Sequence, residues 1–171
     1  MNKYQMEKGI LIWITGVAAS GKTTLAKRVY PVFKVKYPNT VYIDGDDLRD
    51  IWENWGIQGT EERRRLAMSY AKLCNFLTNQ GINVIISTVA LFHNVHDYNR
   101  QNNSNYYEIL LKTDEEILKK RYEEDTSHNP NKQRWTFPNA EFPKTPDLIL
   151  ENNSEDQIEE NTKKILDLIN Y

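Results

Sequence analysis

The 171-residue chain holds a single cysteine, Cys74, so it forms no intramolecular disulfide and suits a reducing compartment. Cys74 stands among Leu73, Phe76 and Leu77 in a helical-looking stretch and reads as a small buried hydrophobe rather than a nucleophile. No stretch approaches the ~20 apolar residues of a membrane span. The apolar run Ile10 to Ile14, preceded by Lys3 and Lys8, is too short for the hydrophobic region of a signal peptide. A basic excess is missing too: 22 Lys and Arg stand against 24 Asp and Glu, a net charge of −2, which argues against nucleic acid as a partner. The expected setting is the cytoplasm, with neither membrane nor nucleic acid bound.

What is present suits one compact domain over residues 1–171, with 39% hydrophobic and 27% charged residues. ILIWIT (10–15) is a continuous apolar run rich in β-formers, as expected of a central strand buried on both faces. TVYID (40–44), GINVIISTV (81–89), YYEILLK (106–112) and DLILEN (147–152) read as four more strands. Helical patterns lie between them: from Lys22, where Pro31 is expected to kink or end the helix; over 46–54; over 60–80, with Thr60 as an imperfect cap; after Asp114; and after Ser154 as a cap. The stretch 125–146 mixes prolines and asparagines with charges and aromatics and reads as a mobile lid. Strands alternating with helices imply an α/β fold of three layers around a five-stranded parallel sheet.

The segment GVAASGKT (16–23) follows the first strand and opens the first helix, the context in which such a loop binds phosphate. Gly16 and Gly21 let the backbone turn and present N–H groups to phosphate oxygens, and the helix N-terminus adds its positive end. Lys22 can reach the β- and γ-phosphates and Thr23 can ligate Mg²⁺. Ala18, Ala19, Ser20 and Thr24 complete the expected ATP-binding set, giving a P-loop nucleoside-triphosphate hydrolase/kinase fold. Two activities lose support through missing motifs. A GTPase needs a base-reading N-K-x-D, and the one candidate, NKQR (131–134), lacks the Asp. A motor ATPase usually has an apolar strand ending in acidic residues, whereas INVIISTV ends in Ser87 and Thr88. A small-molecule kinase remains.

YIDGDDLRD (42–50) supplies a second site. Asp44 falls at a strand end, where ligands bind in open α/β sheets, and Gly45 permits a bend to Asp46. Two carboxylates there can hold the water shell of Mg²⁺ and accept a proton from an attacking hydroxyl; which of them takes the proton is open. Arg49 can clamp an acceptor phosphate. Asp46 and Asp47 are also ordinary residues for a solvated helix start, but next to a phosphate loop the functional reading is preferred.

These stretches together, GILIWITGVAASGKTTLA, YIDGDDLR, a strand ending in Ser/Thr, a lid and PDLIL, resemble the adenylylsulfate (APS) kinase family over nearly the whole chain. The resemblance implies ATP-dependent phosphorylation of a nucleotide's ribose 3′-hydroxyl. It assigns base and Mg²⁺ support to Asp44 and Asp46, with Asp44 acting on the metal through water, and acceptor binding to Arg49 and to Arg63 by spacing. Arg121 matches the family's arginine before the lid, a contact for ATP. Thr88, Lys132 and Trp135 are further acceptor candidates, Trp135 and Thr136 standing where the family has Phe-Thr.

The chain departs from that pattern in the acceptor half. GIQGTEERRR lacks the family's Phe-Ser before the arginine, Leu66 replaces an Asn three residues past it, and the lid lacks G-L-Y-K-K-A-R. Such changes fit a branch that phosphorylates cytidine diphosphoramidate in making capsule phosphoramidate, with Gln58, Leu66 and Trp135 expected to set the difference. A true APS kinase and a catalytically inactive ATP-binding module are the alternatives. ATP and a small nucleotide are the expected partners, with a homodimer left open: Trp52 and Trp55, three apart, suit core packing or a dimer contact. His93, His96 and Asp97 have metal-like spacing, although an ordinary surface helix is the preferred reading. Lys144, between Pro143 and Pro146, belongs mainly to a stiff turn.

Overall fold

A computed structural model describes residues 7–53, 59–128 and 139–170. The elements run β1 (Leu11–Thr15), α1 (Lys22–Lys36), β2 (Thr40–Asp44), α2 (Gly45–Ile51), α3 (Thr60–Thr78), β3 (Asn83–Thr88), α4 (His93–Asn102), β4 (Tyr106–Lys112), α5 (Glu115–His128), β5 (Leu148–Glu151) and α6 (Asp156–Leu168). All strand pairings are parallel, in the order β2-β3-β1-β4-β5. Parallel neighbours need crossovers, and the helices provide them, covering both faces of the sheet.

Strand alternation divides the core into two layers. On β1, Leu11 and Trp13 face one cluster, and Ile12 and Ile14 the other; on β3, Val84 and Ile86 face the first and Ile85 the second. The first cluster packs against Ala67, Tyr70, Ala71 and Cys74 of α3 and Val95 of α4. The second packs against Leu25, Val29 and Phe33 of α1 and Ile165 of α6. The expected three-layer α/β fold with a five-stranded parallel sheet is what the structure has.

Several local expectations need correction. Pro31 lies inside α1 and does not end it; burial of Val29 and Phe33 on either side offsets the one lost N–H. Thr60 is not the cap of α3: Gly59 is, and the Glu62 carboxylate accepts its N–H at 3.4 Å. Ser154 is not the cap of α6: Glu155 holds that position, and Gln157 Oε1 folds back to accept from the amides of Asn153 (2.6 Å) and Ser154 (3.3 Å). The stretch 125–146 is not loop throughout, since α5 continues to His128. Lys132, Trp135, Gln58 and Trp55 lie outside the described residues. Among the described residues no helix is long and apolar enough to cross a membrane.

Candidate active site

The C-terminal ends of β1, β2 and β3 meet at one edge of the sheet, with Thr15 level with Thr88 and Asp44 level with Ser87. Residues 16–21 leave this edge and return into α1. Gly21 adopts φ 91, a left-handed conformation, and a side chain there would collide with the Asn152 amide. The loop is tied down from behind. Asn152 Nδ2 donates to Ser20 O at 2.8 Å, Thr113 Oγ1 to the same oxygen at 3.3 Å, and Arg121 Nη1 to Ala19 O at 3.3 Å. Lys22 Nζ donates to Val17 O at 2.7 Å, which places the ammonium at the mouth of the loop. Gly16, Ala18, Ser20, Gly21, Lys22, Thr23 and Thr24 are therefore brought together, and Arg121 joins them from α5.

Asp44 is 8% exposed and accepts four hydrogen bonds. Oδ2 takes the hydroxyls of Thr23 (2.7 Å), Ser87 (2.7 Å) and Tyr42 (2.8 Å), and Oδ1 takes the Asp46 amide (2.9 Å). Burial by itself favours the neutral acid, but the Asp46 amide and the three hydroxyls outweigh it and hold the carboxyl below its ordinary range. The Tyr42 phenol is pushed up, chiefly by burial. An acid so fully satisfied as the anion is a poor proton acceptor. It is instead well suited to orient the Thr23 hydroxyl, which it meets directly.

Asp46 differs. Its side chain is 45% exposed, and one oxygen lies 3.3 Å from Arg49 Nη1. Gly45, between the two carboxylates, lets the chain pass close to β3, because an added Cβ would lie 2.9 Å from Thr88 Oγ1. The carbonyl of Gly45 accepts from the buried Tyr70 hydroxyl at 3.2 Å, and Trp52 stacks on the Tyr70 ring at 5.5 Å, so Trp52 packs within the chain.

Beyond Asp46 opens a cleft. Arg49, Arg63 and Thr88 supply its polar groups, while Leu66, Tyr70 and Phe92 supply most of its apolar wall. Burial, and then the positive charge of Arg49, lower the proton affinity of Arg63. Two guanidinium groups that repel each other beside an apolar wall favour an anion between them. Arg64, the next residue, turns away: it pairs with Glu141 and lies over Phe92.

The donor set fits Mg²⁺. Thr23 and Asp44 offer hard oxygens, Thr23 to the ion directly and Asp44 through water, and Mg²⁺ characteristically takes one or two protein oxygens together with phosphate and water. The histidine cluster does not behave as a metal site. His96 is buried, its Nε2 donates to Ala90 O at 3.0 Å, and its imidazole is pulled down to about 4 mainly by burial. No group of three or more His, Cys, Asp or Glu among the described residues could hold an ion. His96 is also not on a surface face, as the sequence suggested for this helix.

Sequence reasoning missed Tyr42, Tyr70, Asn152, Arg64 and Glu141. Tyr42 was detectable, since it lies two residues before Asp44 on a strand and so shares its face. The others act across the fold and leave no local pattern.

Residues 8–129 match the family described as Adenylylsulphate kinase. The chain is 35% identical over 160 residues to the cytidine diphosphoramidate kinase of Campylobacter jejuni, covering 91% of this chain and 94% of that one. It is 27% identical to a probable adenylyl-sulfate kinase of Aeropyrum pernix, covering 96% and 94%. The APS kinase of Mycobacterium tuberculosis, solved in complex with AMPPNP and APS, superposes with a TM-score of 0.76 at 20% identity, covering 96% of this chain and 99% of that one. Shikimate kinase of Bacteroides thetaiotaomicron shares the fold with a TM-score of 0.65 at 19% identity, covering 95% and 99%. The chain belongs to the adenylylsulfate kinase family, and is thereby a nucleotide-binding phosphotransferase of the P-loop kinase fold.

Proposed function

We propose that this kinase uses ATP and Mg²⁺ to phosphorylate the ribose 3′-hydroxyl of cytidine diphosphoramidate, a precursor of capsule phosphoramidate. The observation that carries the reading is the pair of contacts Asp46 makes: its amide donates to Asp44, which accepts from Thr23 of the loop, and its carboxylate lies 3.3 Å from Arg49, which lines the cleft with Arg63. The similarity to the Campylobacter jejuni enzyme supports the cytidine acceptor. The cleft wall, where Leu66 stands in place of the family's Asn, agrees with an acceptor other than adenylylsulfate.

In this reading the loop amides and Lys22 hold the β- and γ-phosphates. Thr23, with Asp44 behind it, would hold Mg²⁺, which when bound neutralises charge on the phosphate oxygens. Arg49 and Arg63 grip the acceptor's diphosphoramidate, turning its 3′-hydroxyl toward the donor. The hydroxyl oxygen attacks the γ-phosphorus, its proton passes to the Asp46 carboxylate, and the bond from γ-phosphorus to the β-γ bridging oxygen breaks, leaving ADP. Arg121, anchored on the loop carbonyl of Ala19, contributes positive charge beside the transferring group.

Turnover of ATP with cytidine diphosphoramidate and with adenylylsulfate, measured side by side, tests the proposal. The expected result is a clear preference for the cytidine acceptor. Turnover of adenylylsulfate without turnover of cytidine diphosphoramidate makes the chain a true APS kinase. Turnover of neither acceptor overturns both nucleotide readings and leaves a kinase for another acceptor or an ATP-binding module, the latter opposed by the intact Lys22, Asp44 and Asp46.

A further inference from the structure

Three separate pieces of the chain meet at the carboxylate of Glu141. From α3, Arg64 donates through Nη2 to Oε1 at 3.0 Å and through Nη1 to Oε2 at 3.2 Å, a two-pronged pairing. From the start of α4, the His93 amide donates to Oε2 at 2.7 Å, so the carboxylate also sits on a helix N-terminus. Glu141's own amide donates to Leu91 O at 3.1 Å, and a ring nitrogen of His93 lies 3.0 Å from Phe142 O. Residues 141–142 are thereby stitched to 91–93. Arg64, held by Glu141, lies 4.7 Å over the ring of Phe92. Phe92 is 1% exposed and forms a wall of the arginine cleft. Arg63, adjacent to Arg64, lines the same cleft.

We propose that Glu141 is a positioning residue for the acceptor: by fixing Arg64 and the amide of His93, it sets Phe92 and Arg63 in the geometry that grips the acceptor nucleotide. This rests on reading the cleft as the acceptor site. Glu141 touches neither donor loop nor reacting atoms, so its influence is confined to the acceptor half. A merely stabilising ion pair would weaken the fold without discriminating between the two halves. Arg64 also donates to Asn94 Oδ1 at 3.1 Å and pairs with Glu61 at 3.4 Å, but only Glu141 holds it by two prongs; if the Glu141–Arg64 pair acts as one unit, loss of either has the same consequence and loss of both adds little.

The test is calorimetric titration of CDP and, separately, AMP into protein saturated with Mg·ADP, using the wild type, Glu141→Gln, Arg64→Lys and the double variant. Arg64→Lys keeps the charge but loses the two-pronged geometry. The affinity of whichever nucleotide the wild type binds is expected to fall on the order of tenfold in each single variant, with no further fall in the double. ADP affinity is expected to stay within about twofold, because Glu141 is remote from the loop. Equal nucleotide affinity in wild type and variants overturns the role of Glu141 while leaving the proposed function standing. Binding of AMP but not CDP, weakened in the variants, overturns the cytidine acceptor while supporting Glu141. Binding of neither to the wild type overturns both, and a parallel loss of ADP affinity reduces Glu141 to a general structural role.

Discussion

Replacing Asp46 by Asn removes a proton acceptor while leaving its surroundings nearly intact. The amide is the same size, and the backbone N–H of residue 46 still reaches Asp44 Oδ1, the bond that caps α2. The side chain is 45% exposed, and the substitution weakens one contact to Arg49 that was 3.3 Å long. An exposed pair of this kind contributes about 0–1 kcal/mol, so folding stability should change by no more than that. The rate should change far more. Positioned general bases contribute about 10²–10⁴ in rate, or roughly 3–5 kcal/mol of transition-state stabilisation. Asp44 cannot take over the role, because four donors already occupy its oxygens. The assay is ADP release coupled to NADH oxidation, with the acceptor saturating and ATP varied. The expected outcome is a kcat lowered by two to four orders of magnitude with the KM for ATP nearly unchanged. A kcat within about threefold of wild type would remove Asp46 from proton transfer, since a base contributes at least tens-fold more than that.

Asp44→Asn should act on stability and metal use together. One amide cannot accept from three hydroxyls at the former Oδ2, and each charge-assisted bond lost is worth about 1.5–3 kcal/mol, so a loss of about 2–4 kcal/mol in urea unfolding is expected, with a higher Mg²⁺ requirement; unchanged values of both would show that the hydroxyl cluster is not organised by the carboxylate. Glu141 gives a pH signature. The Arg64 pairing first, and then the His93 amide, hold its carboxyl at about 2 instead of the ordinary 4.5. Its folded-state value lies below its unfolded one, so its stabilisation is complete above pH 4.5 and is lost as pH falls through about 2. The stability deficit of Glu141→Gln relative to wild type, followed by urea unfolding, should therefore shrink across that window, and a constant deficit would contradict the arrangement.

The parts of the fold that were legible in the sequence are those governed by local pattern. The strand YYEILLK (106–112) has the observed limits of β4: five of its seven residues are buried, and its aromatic and aliphatic β-formers mark it despite Glu108. The phosphate loop combines glycine spacing, a buried strand and a helix start within one short segment. Helix ends were less legible. Gln157 and Glu62 satisfy amides by folding back, so the cap cannot be read from the residue at the cap position alone. Arg63 and Arg64 are chemically identical neighbours with different surroundings. Rotation about the helix points one into the cleft, and Glu141, 77 residues away in sequence from Arg64, claims the other. Asn152 behind the loop and Tyr70 beneath Gly45 are likewise long-range partners, 132 and 25 residues from the groups they meet. No local periodicity carries that information.

The central claim is that the two halves of the site form a kinase acting on the 3′-hydroxyl of a cytidine nucleotide. Phosphorus NMR of the product formed from ATP and cytidine diphosphoramidate addresses it directly, with the 3′-deoxy analogue as control. The account predicts a new phosphomonoester signal coupled to the ribose 3′-proton, and no product from the 3′-deoxy analogue. A phosphate attached elsewhere, or product formed equally from the analogue, would contradict it.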